Sequence, residues 1–151
     1  MVDRLNKINK MLIGKYYHHL EDKGRLSLPA KFREISKDWI VTRGLDGCLF
    51  LLQESNFKKE LEKIAQSSFT RKANRDLVRL MTNEAMEVRT DENGRVNLPD
   101  YLINFAHLEK NVVIVGSLNH LEVWDQNKYH DYIDQIEDQA EVIAESIKEN
   151  D

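Results

Sequence analysis

The sequence predicts an α+β fold made of two related halves on one chain. Three observations carry that reading. The segment Glu21 to Pro29 returns 70 positions later as Asp91 to Pro99. β-Prone runs are punctuated by glycine-containing turns, and amphipathic stretches of helical period follow the second hairpin of each half.

The repeat is explicit. Glu21-Asp22-Lys23-Gly24-Arg25-Leu26-Ser27-Leu28-Pro29 is echoed by Asp91-Glu92-Asn93-Gly94-Arg95-Val96-Asn97-Leu98-Pro99. Thr42 to Leu51 is matched more loosely by Val115 to Val123, now at an offset of 72 that puts Gly44 on Gly116. The register continues into the next stretch, where Phe57 aligns with Tyr129 and Leu61 with Ile133. Chance similarity does not hold one register through three successive elements. The expected organisation is a leader over 1–10, a first unit over 11–66, a connecting helix over 67–82, a second unit over 83–135 and an acidic helical tail over 136–151.

Taken in order, Ile13 to Leu20 reads as a strand with Tyr16, His18 and Leu20 on one face and Lys15, Tyr17 and His19 on the other. A tight turn follows. Asn93-Gly94 in the second copy is the stronger hairpin signal, since a type I′ turn needs positive φ at both central residues, and Lys23-Gly24 is the weaker version. Arg25 to Leu28 is a second strand, ended by Pro29, whose fixed φ suits the first turn of a short helix over Ala30 to Ile35. Pro99 repeats this ahead of Asp100 to Phe105. Hairpins then pair Trp39–Arg43 with Leu49–Leu52, and Val112–Val115 with Leu121–Trp124. The connecting helix has Thr70 as its expected N-cap, Ala73, Leu77 and Leu80 on one side, and Arg71, Lys72, Arg75 and Arg79 on the other. A long final helix from Gln126 carries a stripe of Tyr129, Tyr132, Ile136, Ala140, Ile143 and Ile147. Its first half is expected to pack on its own domain, while the rest packs there or on a neighbouring subunit.

Composition narrows the function. The 151 residues are 41% hydrophobic and 32% charged, enough apolar content for a packed core and too much for general disorder. No apolar run reaches the roughly 18 to 20 residues of a membrane span, and Met1 to Lys10 lacks a signal-peptide core. The single Cys48 cannot form an internal disulfide, which fits a reducing cytoplasm. The net charge of -4 conceals a division, with residues 1–89 at +6 and residues 90–151 at -10. Such asymmetry reads either as one surface seeking polyanions and another avoiding them, or as a solvated acidic helix.

Catalytic signatures are missing: no glycine-rich phosphate loop, His-Glu-x-x-His, Gly-x-Ser-x-Gly or paired-cysteine motif occurs. His18 and His19 point to opposite faces of a strand, and Cys48 reads as a turn or packing residue. The expectation is no enzyme, no cofactor, no metal and no small-molecule substrate. The repeated acid-x-x-x-Arg spacing is more informative. Its carboxylate can accept the turn's backbone amides and face the Arg that starts the return strand, giving a stiff tip. Glu21 with Arg25 and Asp91 with Arg95 are then either local salt bridges or two tips that offer Arg to phosphates and guanine edges. Lys15, Lys23, Lys31 and Arg33 crowd the first copy, whereas Asn93 replaces Lys23 in the second.

Gly14-x-Tyr16-x-His18-x-Leu20, Lys23-Gly24-Arg25-Leu26-x-Leu28-Pro29-Ala30-x-Phe32-Arg33 and Thr42-Arg43-Gly44-Leu45-Asp46-Gly47-Cys48-Leu49 together resemble the MraZ family of bacterial transcriptional regulators, over about residues 11–135. The resemblance implies two tandem AbrB-like (SpoVT-AbrB) swapped-hairpin β-barrel domains in a pseudo-twofold unit, with peripheral helices, and assembly into rings, typically octamers. It implies a nucleoid-associated DNA-binding protein that recognises short direct repeats in the promoter of the division and cell-wall gene cluster and usually represses it. Carried over by position, the family's Asp-x-x-x-Arg motif falls on Asp91 and Arg95, and on Glu21 and Arg25, where Glu21 departs from the usual Asp. Arg25 and Arg95 are the expected groove contacts, with Lys15, Lys23, Lys31, Arg33 and Asn93 positioning the double-stranded DNA. Arg71, Lys72, Arg75 and Arg79 either touch DNA or form subunit salt bridges. Met11 resembles the usual family start, so the leader is expected to be either an extension or the product of an upstream start codon. The alternative reading is an antitoxin-like interaction module whose C-terminal helix binds a partner protein.

Overall fold

The computed structural model describes residues 11–67 and 70–149, so the leader expected over 1–10 lies outside the described residues. In chain order the strands are β1 (Lys15–His19), β2 (Arg25–Ser27), β3 (Asp38–Arg43), β4 (Leu49–Leu52), β5 (Met86–Arg89), β6 (Arg95–Asn97), β7 (Asn111–Gly116) and β8 (Leu121–Asp125). The helices are α1 (Ala30–Arg33), α2 (Glu54–Ser67), α3 (Lys72–Asn83), α4 (Asp100–Phe105), α5 (Gln126–Glu137) and α6 (Ala140–Glu149). Six strands form one antiparallel sheet in the order β1-β7-β8-β4-β3-β5, and β2 pairs with β6 in a separate two-stranded ribbon.

Reading the sheet order backwards exchanges the two halves strand for strand. The first strand of each half lies not beside its own second strand but on the other half's hairpin, β1 on β7 and β5 on β3. The chain thus has an internal pseudo-twofold axis that passes between β4 and β8 and through the ribbon.

Period-two alternation sets the packing. Trp39 and Val41 of β3, Leu49 and Leu51 of β4, Val112 and Ile114 of β7, and Leu121 and Val123 of β8 face one core. That core is closed by Leu26, Leu28, Phe32, Val96, Leu98 and Leu102 from the ribbon and the short helices α1 and α4. Residues of both halves interleave in it, so neither half owns a complete core. The other face of the sheet is covered twice. Thr42 donates to the Met81 carbonyl at 2.7 Å beneath α2 and α3, while Cys48, Val113, Trp124 and Tyr129 form a second cluster under α5. The Asp125 carboxylate caps α5 by accepting the Lys128 amide at 3.3 Å.

Four local expectations need correction. The Asn93-Gly94 turn is not type I′, because only Gly94 there has positive φ, 75°. The Gly94 amide bonds Asp91 O at 3.0 Å and the Asp91 amide bonds Arg95 O at 2.8 Å, which makes a three-residue loop with a left-handed glycine at its end. In the first half it is Lys23-Gly24 that has two positive φ values, 65° and 74°. α3 starts at Lys72 with Arg71 in the cap position and no side-chain cap, so Thr70 does not cap it. Its inward residues are Asn74, Leu77, Val78 and Met81, while Leu80 is exposed. The long final helix is two helices broken at Asp138 and Gln139. Glu137 and Asp138 put negative charge where the partial charge of a helix C-terminus is already negative, which favours ending α5 there. Among the described residues no helix is long and apolar enough to cross a membrane.

Candidate nucleic-acid interface

The ribbon decides where the repeated arginines go. Leu26 lies opposite Val96 and both are fully buried, so alternation turns their neighbours Arg25, Ser27, Arg95 and Asn97 outward. Arg25 is opposite Asn97 and Arg95 opposite Ser27, which makes the two arginines diagonal neighbours across the ribbon, a separation of about 7–8 Å between Cα atoms. Residues 70 apart in sequence thereby share one surface. Each tip is also locked by the other half: Leu28 N donates to Gly94 O at 3.1 Å and Leu98 N donates to Gly24 O at 2.8 Å.

The two tips are not equivalent. Asp91 Oδ1 accepts the Asn93 amide at 2.8 Å and the Arg95 amide at 3.0 Å, and Oδ2 accepts Arg95 Nε at 3.1 Å. The Arg95 amide first, with the Asn93 amide and the Arg95 side chain, holds the Asp91 carboxyl below the usual carboxylate range. Glu21 does none of this. Its carboxylate takes no turn amide and does not meet Arg25; it reaches across the axis to Arg95 at 3.6 Å. The extra methylene moves the carboxylate away from its own turn. Arg95 therefore lies between two carboxylates, whereas Arg25 makes no ion pair with any described carboxylate.

Arg25 and Arg95 line an open groove of about 800 Å³ together with His19, Leu20, Glu21, Asp22 and Lys110. His19 Nδ1 is 2.9 Å from Asn111 Oδ1 across the β1–β7 pair, and Leu20 N donates to Lys110 O at 2.8 Å. Sequence reasoning missed Lys110, which is 85 positions from Arg25 and reaches the groove only because β1 pairs with β7. The opposite edge of the pseudo-twofold differs. Arg89 stands where His19 does and is engaged by Asp38 at 3.8 Å.

The remaining candidates are scattered over the surface. Arg33 of the first half lies over the second tip, its Nη1 donating to Asn93 O at 3.4 Å and its guanidinium spanning Gly94. The equivalent place over Gly24 is taken by Ile103, an apolar contact. Lys23 is exposed at the first turn, and Lys31 on α1 sits over the rings of Tyr16 and Phe32 at 5.4 and 5.2 Å. Lys15 is at the far end of β1 from the groove, over Tyr17 at 5.7 Å and near Tyr129 of α5. On α3, Lys72 and Arg79 pair with Asp76 at 2.6 and 3.0 Å, and Arg75 donates to Thr70 O at 2.7 Å. Burial, with Glu122 and Asp46 nearby, pushes the Cys48 thiol well above its ordinary range, and its Sγ donates to Leu45 O at 3.2 Å. A packing thiol of that kind is not a nucleophile at neutral pH.

A family model described as "MraZ protein, putative antitoxin-like" matches residues 11–80 and again 81–150. Similar proteins include a Transcriptional regulator MraZ of Natranaerobius thermophilus, 39% identical over 142 residues that cover 93% of this chain and 99% of that protein. Another, a Transcriptional regulator MraZ of Moorella thermoacetica, is 37% identical over 142 residues with the same coverage.

Proposed function

The chain belongs to the MraZ family, and from that premise we propose that it is a transcriptional regulator that binds double-stranded DNA through the β2–β6 ribbon. The observation that carries this reading is the outward pairing of Arg25 and Arg95 on one surface, stiffened from both halves. Arg25, with a guanidinium that no described carboxylate holds, reads base edges or phosphates. Arg95 is presented in fixed orientation by Asp91 and Glu21, and exchanges those partners for DNA on binding. Lys110 and His19 extend the groove along one phosphate strand, and Lys23, Arg33 and Asn93 support the contact at the two tips. Lys31 and Lys15 contribute at longer range, Lys15 least.

The exchanged strand pairing is read as the swapped-hairpin barrel pair that the family resemblance implies, with 11–66 and 83–135 as its two units. The targets are direct repeats in the promoter of the division and cell-wall cluster, the outcome is repression, and chains assemble in a ring so that weak contacts add through avidity. The acidic helices α5 and α6 face away from the DNA. The cytoplasmic nucleoid is the site of action.

Fluorescence anisotropy with a labelled duplex from upstream of the chain's own gene tests this. Wild type should bind it in preference to a scrambled duplex. The Arg25→Ala/Arg95→Ala double variant should lose that preference while keeping its assembly size. Retained preference in the double variant removes the ribbon from the interface.

A further inference from the structure

We propose that Asn97 is a specificity-determining residue of the ribbon, reading an adenine one base-pair step from the contact of Arg25, so that the site on DNA has a direction. The inference rests on the ribbon as the DNA-binding surface and adds what its outward face can distinguish.

That face presents four side chains in two facing pairs, Arg25 with Asn97 and Arg95 with Ser27. The Leu98 amide bonds Gly24 O and the Leu28 amide bonds Gly94 O, so the hydrogen-bonded positions of the ladder are Gly24 with Leu98, Leu26 with Val96, and Leu28 with Gly94. The two outward pairs are therefore the non-hydrogen-bonded ones, in which Cα atoms are about 4.5 Å apart and side chains lie closest. Successive base pairs of a duplex are about 3.4 Å apart, so two such side chains entering the major groove together meet neighbouring base pairs.

The pseudo-twofold axis passes through the ribbon at Leu26 and Val96, and it exchanges Arg25 with Arg95 and Asn97 with Ser27. The arginines match and their neighbours do not. Asn97 is exposed, and its amide makes no hydrogen bond among the described residues. Its Oδ1 lies 3.5 Å from the point that a Cβ on Gly24 would occupy, which places the amide beside the first tip. An amide offers an acceptor and a donor side by side, complementary to N6 and N7 of adenine in the major groove. Ser27 is half-buried and has a single hydroxyl on its Cβ, too short for that two-point contact.

The free amide also stands beside the free guanidinium. Arg25 makes no ion pair with any described carboxylate, whereas Arg95, opposite Ser27, is held by Asp91 and Glu21. Both differences fall on the same end of the ribbon. That end reads bases, and the other, with its guanidinium engaged and one short hydroxyl, distinguishes less. A backbone with twofold symmetry thereby reads a site without it.

The test uses the full chain and the labelled duplex from upstream of its own gene, with each adenine in turn replaced by 7-deazaadenine, which has C–H in place of N7 and still pairs with thymine. Anisotropy should find one adenine per bound repeat at which the replacement weakens wild-type binding. Asn97→Ala should be indifferent to the replacement there, should bind the unmodified duplex about 5- to 150-fold more weakly, and should melt as wild type does. Asn97→Asp keeps the shape but cannot donate to N7, and it should prefer cytosine to adenine at that position, because a carboxylate accepts from cytosine N4. No sensitive adenine in wild type, or the same sensitivity kept in Asn97→Ala, overturns the proposal. The Arg25→Ala/Arg95→Ala variant tells that failure from failure of the binding surface. If it loses operator preference, the ribbon is the interface and Asn97 lies outside the readout; if it keeps the preference, the ribbon itself is excluded.

Discussion

Arg25→Ala and Arg95→Ala should separate binding from stability, because the free chain holds the two arginines differently. Arg25 meets no described carboxylate, so truncating it breaks no ion pair. A surface substitution of that kind changes stability by no more than about 0.5 kcal/mol, and at about 2–4 °C per kcal/mol for a chain of this size the midpoint moves by less than about 2 °C. Its cost falls on the complex instead. One arginine reading a base edge is worth about 1–3 kcal/mol of discrimination, which is about 5- to 150-fold in affinity for the operator over a mismatched duplex. If Arg25 holds only a phosphate, affinity falls alike on all sequences and the slope of log K against log salt shrinks by about 0.9. Arg95→Ala differs: it leaves Asp91 and Glu21 facing each other without their shared cation, so it lowers the melting midpoint more than Arg25→Ala as well as weakening binding. Differential scanning fluorimetry and anisotropy at three salt concentrations measure both quantities. Arg25→Ala that binds within about twofold of wild type at every salt, or that melts more than about 5 °C lower, refutes the reasoning.

Lys110→Ala should reduce the same salt slope by about 0.9, as for one lost phosphate contact, and an unchanged slope removes that edge of the groove from the interface. Gly24→Ala should destabilise more than Gly94→Ala in urea melts. Both need positive φ, but a Cβ at Gly24 meets the Leu98 backbone oxygen at 2.5 Å, whereas at Gly94 it meets only the movable Arg33 side chain; equal losses refute this. The Asp91 carboxyl is depressed in the folded chain, so the order it lends to the turn is complete above the ordinary value of 3.8 and is lost as pH falls through the lower folded value. The amide shifts of Asn93 and Arg95 in an NMR acid titration should therefore change with a midpoint below 3.8, and a midpoint at or above it contradicts the bonding.

Much of the fold was legible because repetition and period-two alternation are local properties. The 70-residue echo marks out the two halves, and alternation through Arg25, Leu26 and Ser27 is enough to send the arginine outward. Partner choice is not local. Nothing in Lys15 to His19 says that it will pair with Asn111 to Val115, so Lys110 was invisible beside Arg25. Side-chain reach was equally hidden: Glu21 and Asp91 occupy the same place in the repeat, yet one methylene sends Glu21 to the other half's arginine. The break between α5 and α6 is hidden in the sequence because the apolar stripe continues in phase through it, and Glu137 and Asp138 differ in nothing but position from the other acids around them.

The exchange of first strands also sets a timetable for synthesis. Lys15 and its partner Val115 are 100 residues apart, so β1 emerges from the ribosome long before the strand it needs. At about 5–20 residues per second, the wait is about 5–20 s. During that interval the nascent first half has a hairpin with two unsatisfied edges and half a core, which is the condition in which two neighbouring nascent chains could each supply the strand the other lacks. Joining both halves in one polypeptide makes the correct partner the nearest one, and the encounter becomes a matter of loop closure, not of concentration.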